Sequence, residues 1–160
     1  TVFDTLVGRL PRVISVGRLD LTTEGLLLLT NSGDLSRRLE LPSTGWARRY
    51  RVRAHGRVRQ SALDRLQDGV EIEGIQYGPV KATLDQQQGG NAWITLSINE
   101  GKNREVRNLM RYLGLDVNRL IRTAYGPFQL GKLPKDGIEE IPGKQLKEQL
   151  GKAICQEIGL

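Results

Sequence analysis

The chain has 160 residues, of which 38% are hydrophobic, and it carries a formal net charge of +6 at pH 7. This length suits one compact domain over 1–160, and the excess of lysine and arginine makes a polyanion the expected large partner. A single cysteine excludes an internal disulfide and, with only one histidine, leaves no ligand set for a structural zinc. The longest apolar run, Leu26–Leu29, is too short to cross a bilayer, so we expect a cytoplasmic protein with no membrane partner.

The predicted elements begin with two short strands around a polar turn. Arg12–Val16 and Leu26–Thr30 have the composition of buried strands, and the turn Gly17–Asp20 lies between them. A short helix is predicted over Asp34–Leu39, ending before a proline. The turn is the first candidate for chemistry, because the carboxylate of Asp20 can be held there partly away from water beside a substrate. An aspartate in such a turn is also a common turn or cap residue.

The next predicted strand, Arg49–Ala54, has one basic face. Its apolar residues alternate with Arg49, Arg51 and Arg53, and this spacing of two places all three arginines on one side of the strand. Tyr50 offers a flat ring between these cations, an arrangement that can stack on a base while arginines hold the backbone. By default, a tyrosine in a strand belongs to the core.

The remaining elements give the fold class. After the basic strand we expect a surface helix that ends at Gly69, and then a hairpin of Val80–Leu84 with Ala92–Ile98. A later strand is predicted over Val117–Thr123, and a C-terminal helix from Gly143 onward. Strands interspersed with isolated helices, without regular βαβ alternation, indicate an α+β fold with a mixed, largely antiparallel sheet flanked by helices.

A helix between the hairpin and the later strand carries a second set of cations. Arg104, Arg107 and Arg111 follow helical spacing along one side, parallel to the apolar residues that pack. Lys102 comes just before this helix, where the free N–H groups and the helix dipole already favour anions. A helical stripe of charge is usually only solvated, but its coincidence with the basic strand and with Arg122 favours RNA as the partner.

Other chemistries have less support in the sequence. Gly17, Gly25 and Gly33 match neither the Walker pattern nor the dinucleotide fingerprint, so no nucleotide cofactor is predicted. His55 has no serine or cysteine motif to activate, and we interpret it as structural. A glycosidase normally needs two carboxylates, and Asp20 has no convincing second one.

Three stretches of the sequence resemble one known family, the pseudouridine synthases of the small-subunit and related large-subunit ribosomal type. The stretches are GRLDLTTEGLLLLTNSGDL, RRYRV, and EGKNREVRNLM followed by LIRTAYGPFQLGKLPKDG. Their order and spacing are specific, and the likeness extends from Val2 to about Ile141. It looks closest to the branch that modifies large-subunit ribosomal RNA, the synthase B type.

The resemblance implies the pseudouridine synthase catalytic fold, ribosomal RNA as the partner, and no cofactor or metal. It gives Asp20 the catalytic position, as nucleophile or base near C1′ of a flipped-out uridine, with both routes left open. It places Arg18 beside the flipped base, Tyr50 in the active site, and Lys102 as the basic partner of Asp20. We therefore expect Lys102, or failing that Arg104, within salt-bridge reach of Asp20.

One alternative and two departures accompany this resemblance. The basic strand and helix would also suffice for a non-catalytic RNA-binding module that acts in ribosome assembly. The family usually has a further strand with a Lys-Pro sequence, and before it a small S4-type RNA-binding domain. Both would precede Thr1, so the sequence as given lacks them. We expect the protein to be a monomer.

Overall fold

The structure, a computed structural model, describes residues 8–160. The resemblance and the predicted domain both begin within residues 1–7, which lie outside the described residues. The chain divides into two compact units. The first contains residues 8–19, Leu27–Thr44 and Leu130–Leu160, and the second contains Asp20–Leu26 and Gly45–Gln129. In the described part, no helix is long and apolar enough to cross a membrane. A single domain over 1–160 stays a prediction.

In its described residues, the first unit contains a small antiparallel strand pair and three α-helices. The strands are β1 (Ile14–Ser15) and β3 (Leu29–Thr30), which are shorter than the two strands predicted for this region. The helices are α1 (Gly33–Glu40), α4 (Gly143–Leu150) and α5 (Lys152–Ile158). The sequence predicted the last two as one helix. They are separate because the glycine between them has a φ of +83°, outside the helical region.

Local hydrogen bonds and packing explain why α1 forms where the sequence predicted it. The side chain of Ser32 accepts a hydrogen bond from the N–H of Leu35 at 3.2 Å, which caps the first turn. Leu35 and Leu39 are buried one turn apart. In the last turn, Glu40 accepts a hydrogen bond from the N–H of Gly17 at 2.7 Å. This bond ties the end of the helix to the turn after β1.

The second unit is built on a six-stranded sheet with the order β10-β9-β4-β8-β7, in which β2 also pairs with β9. The strands are β2 (Glu24–Gly25), β4 (Arg48–His55), β7 (Val80–Gln88), β8 (Asn91–Ile98), β9 (Asp116–Tyr125) and β10 (Phe128–Gln129). All pairs are antiparallel except β2 with β9. The predicted α+β class with a mixed, largely antiparallel sheet is confirmed.

Two short helices and a separate hairpin complete the second unit. The helices are α2 (Gln60–Asp64), which continues as a 3₁₀ turn over Arg65–Asp68, and α3 (Glu105–Tyr112). The hairpin pairs β5 (Val70–Ile72) with β6 (Ile75–Tyr77), and the sequence analysis did not predict it. Both helices pack on the sheet, because Leu63 of α2 and Leu109 of α3 belong to the same buried core as its strands.

The two faces of the six-stranded sheet differ in what lies on them. On one face, Val52 of β4 and Ile94 of β8 are completely buried in a core that also contains Leu63 of α2 and Leu109 of α3. We call this the covered face. The opposite face, which we call the bare face, displays the alternate residues of the same strands. Its central positions are Arg49 opposite Ser97, Arg51 opposite Thr95, and Arg53 opposite Trp93.

Candidate active site

Asp20 lies on a tight loop whose far end is tied to the sheet. The N–H of Thr23 donates to the carbonyl of Asp20 at 2.9 Å, and the N–H of Leu26 donates to the carbonyl of Arg122 at 2.8 Å. Gly25 allows the loop to come this close to β9, because a Cβ at this position would lie 2.2 Å from the carbonyl oxygen of Arg122. Its φ of +109° also favours glycine. The loop therefore holds Asp20 at a fixed distance from β9.

Two arginines at the start of α3 approach one oxygen of the Asp20 carboxylate. Arg104 Nη1 lies 3.3 Å from Oδ2, and Arg107 Nε lies 4.0 Å from the same atom. Arg107 also donates through Nη2 to the carbonyl of Thr22 at 2.7 Å. The Arg107 side chain is only 13% exposed, whereas that of Asp20 is 36% exposed. The site thus combines a solvent-accessible carboxylate with a largely buried cation beneath it.

The expected pairing of Lys102 with Asp20 is wrong for this structure, and the alternative, Arg104, takes that place. Lys102 Nζ instead donates to Glu100 Oε2 and to the carbonyl of Gln76, both at 2.7 Å. The hydrogen bond to Glu100 raises the pKa of Lys102 above its ordinary value. A carboxylate two residues away in sequence satisfies the ammonium before it can reach the Asp20 loop.

Glu105 fixes the turn that presents Arg104, and the sequence analysis missed it. Glu105 is 3% exposed, its Oε1 accepts from the N–H of Lys102 at 3.1 Å, and its own N–H donates to the carbonyl of Lys102 at 3.1 Å. These two bonds close the turn before α3: the Glu105 carboxylate binds an N–H as it does in a capping box, but the second acceptor is a backbone carbonyl and not a side chain. The signal was the spacing of three residues between Lys102 and Glu105. Within this turn Arg104 has a φ of +52°.

Two neighbouring glutamates in this turn have opposite pKa shifts. Burial, followed by a hydrogen bond with Glu100, raises the pKa of Glu105 to about 7. Burial alone would also raise the pKa of Glu100, but hydrogen bonds from Lys102 and from the N–H of Gly78 help to hold it below its ordinary value. The pair therefore keeps one proton, mostly on Glu105, at moderately acidic pH.

The other residues expected in the catalytic centre lie in different places. Tyr50 is on the covered face, opposite Leu96 of β8, and is partly buried against the core. Arg111 is exposed at the far end of α3, where it lines an open groove with Tyr112. Arg18 belongs to the first unit and is exposed. The structure thus brings Arg104 and Arg107 to Asp20, and places Tyr50 on the same face of the sheet as α3.

The expected RNA-binding arginines do not form one surface. The set on β4 lies on the bare face, whereas α3 with its arginines packs on the covered face. Arg122 is 3% exposed, and its Nε donates to the carbonyl of Leu26 at 2.9 Å. Its expected role as a surface contact to phosphate does not fit this position, because the parallel pairing of β2 with β9 buries the guanidinium.

Comparison with known proteins connects this geometry to one family. Residues 5–112 match the model of the RNA pseudouridylate synthase family. An uncharacterised RNA pseudouridine synthase of Rickettsia typhi is 46% identical over 99% of this chain and 64% of its own length. The ribosomal large subunit pseudouridine synthase B of Pasteurella multocida is 45% identical over 88% of this chain and 41% of its own length.

The fold has a counterpart among solved structures. The crystal structure of a pseudouridylate synthase superposes with a TM-score of 0.80 at 25% identity, covering 94% of this chain and 65% of that one. The match covers nearly the whole chain, so the two-unit fold described above is the pseudouridine synthase fold. This chain spans less than two thirds of the length of the relatives it matches.

Proposed function

Because the chain belongs to the RNA pseudouridylate synthase family, we propose that it converts uridine in ribosomal RNA to pseudouridine, with Asp20 as the catalytic residue. The observation that carries the proposal is the accessible Asp20 carboxylate held from one side by Arg104 and Arg107. The relatives named for the large ribosomal subunit, at 42–45% identity, support large-subunit RNA as the substrate class.

The reaction is an isomerisation, so its balance requires no redox partner and no group donor. The bond between N1 of the uracil and C1′ of the ribose breaks, the base turns, and C5 forms a new bond to C1′. C5 loses one proton and N1 gains one, so the number of protons does not change. Asp20 acts at C1′ as a nucleophile, or as a base on the ribose. Both arginines approach Oδ2, so in this proposal Oδ1 is the oxygen that acts on the substrate.

The two arginines have different roles in this proposal. Arg107 is largely buried and bound to the Thr22 carbonyl, so it orients the Asp20 carboxylate. A shift of about 1 Å would convert its 4.0 Å contact with Asp20 into a direct hydrogen bond. Arg104 is 44% exposed and can also reach a phosphate beside the target nucleotide.

The remaining roles concern the flipped base and the turn before α3. A uridine in folded RNA must leave its stack before it can react, which costs a few kcal/mol. Arg18 is proposed to fill the vacated space, and Tyr50 to stack on the extruded base. Lys102 acts indirectly, because its ion pair with Glu100 stabilises the turn that carries Arg104.

The test is to incubate the full-length protein, and this chain, with large-subunit and small-subunit ribosomal RNA and to map new pseudouridines. We expect modification of the large-subunit RNA, and a loss on the order of a thousandfold or more in the Asp20→Asn variant. Asp68→Asn, at an exposed position on the 3₁₀ turn, is the control. RNA binding without modification by the unaltered protein would favour the non-catalytic binding module instead.

A further inference from the structure

The bare face of the sheet carries a concentrated positive charge on the side opposite to the Asp20 site. Arg49 and Arg51 are exposed, and Arg53 is partly exposed at the next alternate position of β4. Alternate residues in a strand are about 7 Å apart, so the three guanidinium groups repel one another. The exposed Lys81 of β7 extends the charge to one side.

Carboxylates on the bare face do not pair with these three arginines, and Asp85 of β7 instead accepts a hydrogen bond from Thr95 Oγ1 at 2.6 Å. Within residues 8–160, no ion pair links Arg49, Arg51 or Arg53 to an acidic side chain. Glu24 of β2 is taken by Arg119, whose Nε lies 3.0 Å from its Oε2. An unbalanced row of cations weakens the fold slightly by repulsion, and a bound polyanion would reverse that effect.

Trp93 holds two of the arginines in place. The Cζ atoms of Arg51 and Arg53 lie 5.6 Å and 5.5 Å from the centre of the Trp93 ring, in cation–π geometry. Arg53 is fixed further, because its Nε donates to Asn118 Oδ1 at 2.6 Å. Ordered guanidinium groups lose less side-chain entropy when they bind phosphate than freely rotating ones.

We propose that the bare face is a second RNA-binding surface, which holds the phosphate backbone of a segment other than the one that enters the Asp20 site. The sheet itself separates the two surfaces, since α3 and its contacts with Asp20 lie on the covered side. The RNA must therefore pass around an edge of the sheet or supply two separate segments. That the polyanion is ribosomal RNA rests on the proposed function.

The first test measures the salt dependence of binding. The variant Arg49→Gln, Arg51→Gln, Arg53→Gln is compared with Arg57→Gln, Arg59→Gln, Arg65→Gln, which loses the same charge at exposed positions elsewhere. With a long ribosomal RNA fragment, the bare-face variant should lose roughly two to three units of the log–log salt slope. The control should lose less than one. Equal slopes in the two variants would overturn the proposal.

Loss of the stacking on Trp93 could unfold the variant, so a charge-conserving version accompanies it. Arg51→Lys with Arg53→Lys keeps the charge but removes the planar guanidinium groups. It should retain the salt slope of the unaltered protein and bind more weakly. If it binds as tightly as the unaltered protein, the stacked arginines do not contribute and that part of the proposal fails.

The second test locates the RNA directly. Cys155 is buried, so a cysteine introduced at exposed Thr83 on the bare face can be labelled selectively with a photo-crosslinker. We expect crosslinks to ribosomal RNA from Thr83→Cys and far fewer from Ser61→Cys on α2. If crosslinks form but no pseudouridine is made, the bare face still binds RNA and the proposed function is rejected. Pseudouridine formation with no crosslinks at Thr83→Cys would reject this surface alone.

Discussion

One strand, β4, contributes to both faces of the sheet, and the two faces use its residues for different purposes. On the covered face, Val52 and Ala54 are completely buried and Tyr50 lies at the margin of the core. On the bare face, Arg51 and Arg53 are ordered by stacking on Trp93, and Arg53 also by its hydrogen bond to Asn118, rather than by burial. Neighbouring residues of β4 thus belong to different surfaces, because side chains in a strand alternate.

The two faces also differ in how their charges are held. Beside the covered face, Arg107 and Glu105 are buried and bound to backbone groups, so their positions depend on the fold. The arginines of the bare face make few hydrogen bonds and depend on ring stacking. Substitutions near Asp20 should therefore change the reaction rate and the stability, whereas substitutions on the bare face should mainly change RNA affinity.

The largest effect that sharpens this comparison is expected at Arg107. Arg107→Met leaves the Thr22 carbonyl and the Asp20 carboxylate without their largely buried partner, so the reaction rate should fall roughly a hundredfold. Arg104→Met removes a more exposed ion pair and should cost roughly tenfold or less. Single-turnover rates on ribosomal RNA measure both. A larger loss for Arg104→Met than for Arg107→Met would contradict the assigned roles.

A smaller effect is expected at Gly25, where the Asp20 loop joins the sheet. Gly25→Ala brings a methyl group against the Arg122 carbonyl and strains a positive φ, so unfolding should become easier by about 2 kcal/mol. Gly89→Ala is the matched control, with a φ of +58° and open space, and should cost about 1 kcal/mol. Urea denaturation gives both values. Equal losses would mean that the loop yields without strain.

The smallest effect is expected from Glu105→Gln, as a change in pH dependence. Because the pKa of Glu105 is raised to about 7 in the folded chain, its contribution to stability is full below about pH 4.5 and is lost as the pH rises to about 7. The glutamine does not titrate, so the variant should gain stability relative to the unaltered protein across this window. Urea denaturation at several pH values tests this, with Glu71→Gln on exposed β5 as control. Parallel profiles would contradict the raised pKa.

The sequence predicted those features that depend on local periodicity. The alternation along β4 and the apolar spacing of α3 were predicted correctly, because a strand or helix pattern is visible within a few residues. The resemblance supplied the fold and the proposed catalytic role of Asp20, which periodicity alone left open as a turn residue. The family of this chain is confirmed by the comparisons.

The predictions that were wrong depend on contacts between distant segments. Arg122 was predicted at the surface, but its guanidinium is buried because β2, about a hundred residues earlier, pairs with β9 in parallel. The partner of Asp20 was predicted as Lys102 or, failing that, Arg104, and the structure has Arg104 because Glu100 holds Lys102 and a left-handed turn presents Arg104. The hairpin of β5 and β6 was missed because each strand has only three residues.

The parallel pairing of β2 with β9 has a consequence for how this protein can vary in length. Only a few residues lie between Asp20 and Gly25, which pairs with β9. All of them are needed to form the turn at Thr23 and to reach that pairing. Inserting or deleting one residue there would shift the chain by about 3.3 Å, enough to separate the carboxylate from both arginines. The side chain at position 21, by comparison, can vary freely, because Leu21 is fully exposed. In this segment, length is a stricter requirement than composition.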